Sequence, residues 1–328
     1  MAIYIGRRQL IVTLGGGAGA WPLAARAQQA KKIPRIGVLL FGTPDTDPNL
    51  GAFLRGLRDL GYIEAQNIVF EYRYAEGKPE RLRGLAGELV ATKPDLIFAL
   101  GGDVAPSARV ATNTIPIVVA VSNDPVQAGL VASLAHPGGN ITGVTFVSSD
   151  LAAKRLQFLR EIAPNLFRVA VIWNPDHVDP EYRETQTAAK VLGIQIQSLE
   201  VRGVEDFDAA FQGATDARTQ ALIPITSRLM LTNRPRIIEF STQRQLLLAS
   251  GFGPWAKEGA LLSYGPDTDA STRRAAAYVD KILRGARPDE LPIEQPTKFQ
   301  LVINGKTAKS LGLNIPPMLL ATADQLIE

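Results

Sequence analysis

The segment "RIGVLLF" at residues 35–41, with the residues that follow it up to position 61, decides the fold. It is a short and almost continuous apolar run, which is typical of a strand buried on both faces of a sheet. After it, Asp47 is suited to cap a helix and Pro48 suits the first turn. Apolar side chains then recur at helical spacing up to Gly61, namely Leu50, Phe53, Leu54, Leu57 and Leu60. The stretch therefore predicts a buried strand followed by an amphipathic helix.

The same alternation of strand and helix continues along the chain in two series. The first series has further predicted strands at 67–72, 95–100 and 115–121. The second begins near Asp150, with predicted strands at 168–173, 194–201, 221–226 and 246–250, and two more strands follow towards the end of the chain. This alternation implies right-handed crossovers and parallel sheets, an α/β fold. Between the series, residues 136–149 are rich in Gly, Asn and Ser, and we predict there the first crossing between two lobes.

The amino-terminal stretch "RRQLIVTLGGGAGAWPLAARAQQ", residues 7–29, contains glycines at the spacing of a dinucleotide-binding loop. That loop functions only between a strand and a helix, and too little sequence precedes it here for a strand–turn–helix unit. The paired arginines, the apolar stretch and the small residues up to Ala27 are instead typical of an export signal. We therefore predict a signal peptide at 1–27, with cleavage after Ala27. Arg7 and Arg8 suggest the Tat route, and the Sec route stays open.

The composition of the remaining chain excludes several classes of partner. Residues 1–27 contain three arginines and no acidic residue, so the 35 Lys and Arg of the 328-residue chain become 32 and equal the 32 Asp and Glu. A neutral chain gives no reason to expect nucleic acid or an anionic membrane as partner. Cysteine is absent, which excludes disulfides, thiolate metal sites and a lipidated cysteine. We expect a freely diffusing periplasmic monomer without a membrane anchor.

Three segments carry a resemblance to a known family: the signal, "SNDPVQAGLVASLAHPGGNITGVT" at 122–145, and "LLSYGPD" with the block that ends in "LNIPP" at 313–317. Together they resemble the ABC-transporter substrate-binding proteins that include tryptophan-binding members. The resemblance implies a type I periplasmic binding fold, in which two Rossmann-like lobes joined by three crossings close on a small molecule. It implies a first lobe at 28–147 plus 251–288, a second at 148–250 plus 289–328, and an ABC permease of the inner membrane as partner.

Candidate ligand contacts follow from the rule that ligands bind at the carboxyl ends of parallel strands. Two lobes that face each other place two such edges around one cleft. The residues that follow the predicted strands are Phe41, Thr43, Gly101, Gly102, Asp103, Ser122, Asn123, Trp173, Asn174, Thr226, Ser227, Tyr264 and Asp267.

Each type of candidate also has a structural interpretation. Gly101 and Gly102 either contact the ligand through the backbone or only turn the chain. Ser122 and Asn123 are equally suited to cap a helix, and Asn174 to form a turn. Trp173 is either a core residue or a stacking surface for a flat ligand, and Tyr264 can offer a ring and a hydroxyl.

Catalytic patterns are lacking. His136 and His177 are the only histidines, and neither has the spaced partners of a zinc site. No P-loop or G-x-S-x-G pattern occurs. We therefore predict no enzyme, no metal and no cofactor, but a periplasmic solute-binding component of an ABC importer. The ligand suggested by the resemblance is an aromatic or other amino acid. A periplasmic sensor of the same fold is the alternative, and a nucleotide-dependent enzyme rests on the glycine run alone.

Overall fold

A computed structural model describes residues 32–45, 47–146 and 151–328, and residues Pro34–Glu328 form one compact unit. The predicted export signal at 1–27 and its cleavage after Ala27 lie outside the described residues. Among the residues that are described, no helix has the length and apolar character needed to cross a membrane.

The first sheet has five parallel strands in the order β2-β1-β3-β4-β5. Its strands are β1 (Arg35–Leu40), β2 (Val69–Tyr74), β3 (Leu96–Leu100), β4 (Ile117–Val121) and β5 (Ile141–Thr145). The helices between them are α1 (Leu50–Asp59), α2 (Leu82–Ala91) and α3 (Ala105–Ala111). β3 and β4 are buried along their whole length, as their continuous apolar runs predict.

Strand β5 lies within the stretch 136–149, which we expected to be a crossing between the lobes. It instead pairs with β4 along the edge of the first sheet. Gly143 has φ of 140° and lies against the backbone of Val119, where an added Cβ would be 2.1 Å from the carbonyl oxygen. The glycine is thus required by close contact inside a sheet, although its composition alone favours a loop.

The second sheet has seven strands in the order β12-β11-β10-β9-β8-β6-β7, of which only the β10–β11 pair is antiparallel. Its strands are β6 (Arg168–Trp173), β7 (Gln195–Glu200), β8 (Ala221–Pro224), β9 (Leu247–Ser250), β10 (Leu262–Pro266), β11 (Phe299–Asn304) and β12 (Gln325–Ile327). The helices are α4 (Ala152–Ile162), α5 (Glu181–Val191), α6 (Phe207–Asp216), α7 (Arg228–Thr232), α8 (Arg234–Gln243), α9 (Gly253–Glu258), α10 (Thr268–Leu283), α11 (Gly305–Ser310) and α12 (Pro317–Thr322). Two mostly parallel sheets with covering helices confirm the predicted α/β class.

Helix α10 belongs with the first sheet, although the strand before it belongs to the second. It packs against α1, where Gly56 lies so close that an added Cβ would be 2.7 Å from the Arg273 carbonyl oxygen. β10 lies inside the stretch 251–288 that we expected in the first lobe, yet it pairs with β9 and β11. Below, the first lobe means the five-stranded sheet with α1–α3 and α10, and the second lobe means the seven-stranded sheet with the other helices. The residue limits of the lobes stay a prediction.

Candidate functional site

Side chains that follow strands of the first lobe contact side chains that follow strands of the second. Asp47, Asp103 and Ser122 come after β1, β3 and β4, and His177 and Arg228 come after β6 and β8. These five residues meet in a buried polar group that we call the interlobe cluster. The carboxyl ends of the two sheets therefore form one site, as expected for parallel sheets.

One half of the interlobe cluster is an ion pair between Arg228 and Asp47. The guanidinium Nη1 donates to both carboxylate oxygens of Asp47, at 3.3 and 3.1 Å. The two side chains are only 4% and 1% exposed. Asp47 also accepts the backbone N–H groups of Asn49 and Leu50 at the start of α1, so its predicted capping role is combined with the interlobe contact. Removing one partner of such a pair leaves the other charge buried without a counter-charge, which is energetically costly.

The other half is a contact between the imidazole of His177 and the carboxylate of Asp103. The Nδ1 of His177 bonds Asp103, whose second oxygen accepts the backbone N–H of Arg228 at 2.8 Å. The Nε2 of His177 lies 3.4 Å from the Ser122 hydroxyl. Burial by itself would raise the pKa of Asp103, but the charge of His177, with Arg228, lowers that pKa below its usual value. Burial opposes protonation of His177, yet Asp103 and the neighbouring carboxylates Asp179 and Glu181 raise its pKa above the ordinary value of 6.5, so the contact favours the protonated imidazole.

Gly101 and Gly102 allow the second lobe to approach this closely. An added Cβ on Gly101 would be 2.6 Å from Cγ of Arg228, and Gly101 has φ of 124°. An added Cβ on Gly102 would be 2.6 Å from Cε1 of His177. The glycines therefore do more than turn the chain, because they leave room for the two cations of the second lobe.

A third buried ion pair lies next to the interlobe cluster but within the second lobe. Arg155 on α4 pairs with Glu181 at the start of α5, and both side chains are almost fully buried. Arg155 also donates to the Tyr264 carbonyl at 3.1 Å, and Glu181 accepts the backbone N–H of Thr226 at 3.3 Å. The pair thus ties α4 and α5 to the ends of β8 and β10.

Asp179 lies between this pair and His177. One carboxylate oxygen accepts the Glu181 backbone N–H at 2.7 Å, and the other is 3.9 Å from Nε2 of His177. The side chain is 3% exposed. Burial, and then the negative charge of Glu181, raise the pKa of Asp179 to about 7. The carboxyl group of Asp179 therefore keeps its proton up to near neutral pH, whereas an ordinary aspartate is ionised there.

Asn123 carries a buried oxygen that has no hydrogen-bond partner. Its amide nitrogen donates to the Gly102 carbonyl at 3.4 Å, which identifies the other amide atom as the oxygen. That oxygen is buried without a donor, although nearly all buried polar atoms in folded proteins are hydrogen-bonded. Asn123 thus leaves a free acceptor beside Gly102 and His177.

The space left between the lobes is small. A cavity of about 10 Å³ lies beside Gly101, Ser122, Thr226 and Arg228. That is about the room a single water needs, so the two lobes are closed on each other in this structure. Within the described ranges, no group of three or more His, Cys, Asp or Glu side chains could hold a metal ion.

Several predicted site residues meet here and others do not. Those in or beside the interlobe cluster are Gly101, Gly102, Asp103, Ser122, Asn123 and Thr226. Ser227 adjoins it as the cap of α7, where its hydroxyl accepts the Met230 N–H at 3.3 Å. Thr43 contributes its carbonyl to the turn that positions Asp47, at 3.0 Å. Phe41 is a core residue, 2% exposed.

The two aromatic residues predicted to contact a ligand, Trp173 and Tyr264, instead pack against other aromatic rings of the second lobe. The ring of Trp173 stacks on Tyr182 with centroids 4.0 Å apart, and its indole N–H donates to the Ser198 hydroxyl at 2.9 Å. Tyr264 packs edge-to-face on Phe158. Both rings therefore serve packing of the second lobe, and we leave them out of the proposed site.

The last two predicted residues have structural roles. Asn174 accepts the Asp176 N–H at 2.9 Å and so closes a turn. Asp267 caps α10 by accepting the Ala270 N–H at 3.0 Å. For Asn174 this is the turn that the sequence analysis gave as the alternative, whereas the capping role of Asp267 was not predicted.

Sequence reasoning identified Asp103 but missed the cations of the site. Arg228 directly follows the predicted contacts Thr226 and Ser227, so a charged residue just beyond a strand end was the available signal. His177 was discounted because it lacked metal-ligand partners. Arg155 lies in the middle of an amphipathic helix, and nothing in its local sequence sets it apart from a surface arginine.

Comparisons with known proteins identify the family and the fold. The family described as ABC transporter substrate binding protein matches residues 36–327. A tyrosine-binding protein of Clostridioides difficile is 25% identical over 288 residues, which is 87% of this chain and 82% of that protein. A conserved domain protein of Vibrio cholerae is 28% identical with a TM-score of 0.83, over 90% of this chain and all of that one.

An ABC domain from Streptococcus pneumoniae solved in complex with L-Trp shares the fold, with a TM-score of 0.82 at 23% identity over 90% of this chain and 99% of that one. These matches confirm the predicted type I periplasmic binding fold. The chain belongs to the ABC transporter substrate-binding proteins, and it is a binding protein rather than an enzyme.

Proposed function

We propose that this protein binds an amino acid between its lobes outside the cytoplasmic membrane and delivers it to an ABC permease. The observation that carries the proposal is the pair of buried salt bridges that join the lobes, Asp47 to Arg228 and Asp103 to His177. Each lobe edge thus presents groups that bind charge, and a zwitterion offers both signs of charge to such groups.

The individual groups suit the two ends of an amino acid. The guanidinium of Arg228 can bind a carboxylate through two parallel N–H donors. The carboxylates of Asp47 and Asp103 and the free oxygen of Asn123 can accept from an ammonium group. Because the lobes touch here, a bound ligand replaces part of their direct contacts. The names of the tyrosine-binding relative and of the L-Trp complex support an amino acid as ligand.

Delivery would proceed by hinge closure. Parting the lobes exposes the charges to water, and a ligand that contacts both edges stabilises the closed form for the permease to recognise. The export signal at 1–27, with Arg7 and Arg8, would bring the chain to the periplasm, where we expect a monomer without its own membrane anchor.

The test is a binding screen with purified protein, in which L-tyrosine, L-tryptophan and the other common amino acids are scored by thermal shift and then by calorimetry. Ligands that bind only the folded state raise its melting temperature. We expect Arg228→Gln to weaken binding by about ten- to a hundredfold, which corresponds to one charged hydrogen-bonding group.

Arg202→Gln is the matched control, because Arg202 is 56% exposed and pairs only with surface carboxylates among the described residues. A screen in which no amino acid raises the melting temperature would contradict the proposal. So would equal affinities of the Arg228 and Arg202 variants.

A further inference from the structure

Most of the segment that carries the family resemblance lies outside the interlobe cluster. Its first two residues, Ser122 and Asn123, belong to the cleft, whereas residues 129–132 and 137–141 border a cavity of about 560 Å³ in the first lobe. Arg109 on α3 and the residues just after that helix form the other side, and we call this cavity the α3 hollow. Small-molecule sites have volumes of about 300 to 1,000 Å³, so a small molecule fits here.

The α3 hollow lies at the opposite edge of the first sheet from the interlobe cluster. Of its lining residues, Thr112 and Asn113 precede β4, and residues 137–140 directly precede β5. The first-lobe residues of the interlobe cluster instead follow β1, β3 and β4. A five-residue strand such as β4 spans about 17 Å, so a small molecule in the α3 hollow does not reach the interlobe cluster.

Arg109 is the one charged side chain among the residues that line the α3 hollow, all of which are described. It has no hydrogen bond or ion pair with any residue that the structure describes. The chain from 125 to 149 contains no Asp, Glu, Lys or Arg, so the walls of the hollow supply no carboxylate for it. An arginine in a concave surface without a counter-charge attracts an anion.

The backbone N–H groups of Gly138 and Gly139 are further donors at the α3 hollow. Neither of them donates to another residue in the described part of the chain. Gly138 has φ of 75°, and successive N–H groups in turns of this kind form concave anion sites. The side-chain amide of Asn140 donates to the carbonyls of Thr112 and Ile115 at 3.2 and 2.7 Å, which fixes the turn on the end of α3.

Apolar side chains lie beside these donors. Leu130, Val131 and Ile141 line the α3 hollow and are only 5%, 8% and 2% exposed, and we call these three residues its apolar floor. Ligand sites typically combine an apolar lining with a few polar groups that fix the orientation of the ligand. The α3 hollow therefore suits a molecule that has both an anionic group and an apolar body.

We propose that the α3 hollow is a second ligand site, separate from the interlobe cleft, and that it binds a small organic anion such as an aryl or alkyl carboxylate. Arg109 and the N–H groups of Gly138 and Gly139 bind the carboxylate, and the apolar floor contacts the rest of the molecule. All of these residues belong to the first lobe, so binding needs no closure of the lobes. The site is also independent of amino-acid binding in the cleft.

Titration calorimetry with 3-phenylpropionate tests this site. We expect a dissociation constant of about 1 mM, which is usual for a ligand of this size with one charged group. The neutral 3-phenylpropanamide should bind about tenfold more weakly, because it has the same shape but no charge for Arg109. Acetate should also bind more weakly than 3-phenylpropionate, because it has no apolar body to contact the apolar floor.

Two variants separate the α3 hollow from the rest of the surface. Arg109→Gln should weaken binding of 3-phenylpropionate by about tenfold, because it removes the charge of the hollow. Arg287→Gln is the matched control and should leave this affinity unchanged. Arg287 lines an adjoining cavity together with Gly138 and Gly139, but its guanidinium is already paired with Asp289.

Protein labelled with ¹⁵N-glycine gives a direct readout of the backbone donors. The amide signals of Gly138 and Gly139 should shift as 3-phenylpropionate is added, because their N–H groups acquire an acceptor. Gly139→Ala identifies one of the two signals, and an added Cβ at this position meets no atom within 4 Å.

The proposal would be overturned if 3-phenylpropionate did not bind at ten times the expected dissociation constant, or if Arg109→Gln and Arg287→Gln lost affinity equally. It would also be overturned if Arg228→Gln lost affinity and Arg109→Gln did not, because the anion would then lie in the interlobe cleft. Failure of every amino acid in the binding screen would count against the proposed function alone, since the α3 hollow shares no residue with the interlobe cluster.

Discussion

Arg155 and Arg228 are two buried arginines with the same chemistry in two different places. Each pairs with a buried carboxylate, and their side chains are 1% and 4% exposed. The partner of Arg155, Glu181, lies in the same lobe, whereas the partner of Arg228, Asp47, lies in the other. Parting the lobes leaves the first pair intact and separates the second. Burial and pairing alone therefore do not distinguish a structural ion pair from one that a ligand can replace. The distinction depends on whether the partner lies in the same lobe or in the other one.

The largest effect that tests this difference between the two ion pairs is expected for Glu181→Gln. It leaves the Arg155 charge buried without its partner, and we expect it to destabilise the fold by about 3 to 5 kcal/mol. Denaturant unfolding without ligand measures this. Asp47→Asn is the counterpart across the lobes: it should lower ligand affinity, while its unfolding free energy falls by much less. Equal losses of stability in both variants would mean that the interlobe pair is structural as well.

A second prediction concerns the aromatic residue that sequence pattern placed in the site. Trp173→Ala removes a stacked ring with its half-buried apolar surface and one hydrogen bond, which together correspond to about 3 kcal/mol of unfolding free energy. Because both contacts lie within the second lobe, affinity for L-tyrosine should be unchanged. Calorimetry on the folded variant checks this. A tenfold loss of affinity without a loss of stability would return Trp173 to the ligand site.

The smallest effect expected is the pH dependence of binding. The pKa of His177 is raised in the closed form above its ordinary value of 6.5, so the contact with Asp103 is fully present below that pH and is lost as the pH rises through the raised value. Affinity should therefore fall as the pH increases above 6.5, by at most about tenfold per pH unit for one proton. Titration calorimetry between pH 6 and 8 measures it.

The variant His177→Gln should lose the part of the pH dependence that His177 contributes above pH 6.5, so its affinity should fall less steeply over that range than that of the wild type. A wild-type affinity that rises with pH would show that His177 does not carry the interlobe contact as a cation.

The buried central strands of the first sheet were predictable, whereas its edge strand β5 was not. β1, β3 and β4 lie close to their predicted positions, because fully buried strands need continuous apolar runs. β5 was missed, because Gly143 and two threonines gave a buried edge strand the composition of a loop. Thr142 and Thr145 are buried, but their hydroxyls donate to the carbonyls of Leu291 and Asn123, so the polar atoms are satisfied.

The candidate site was predictable only in part. Gly101, Gly102, Asp103, Ser122 and Asn123 were identified because the position of a strand end follows from the sequence pattern. Trp173 and Tyr264 follow strand ends in the same way, yet their rings pack on Tyr182 and Phe158. The end of a strand fixes the position of the backbone, but it does not determine which neighbouring residue the side chain contacts.

By itself, the sequence determined the α/β class and the edges at which a site could form, because the periodicity of apolar residues is a local property that each strand and helix carries alone. Tertiary structure decided which charges meet. Asp47 and Arg228 are 181 positions apart and Asp103 and His177 are 74 apart, so no local pattern records that they pair. Only the folded chain brings these residues within the short range at which buried charges act.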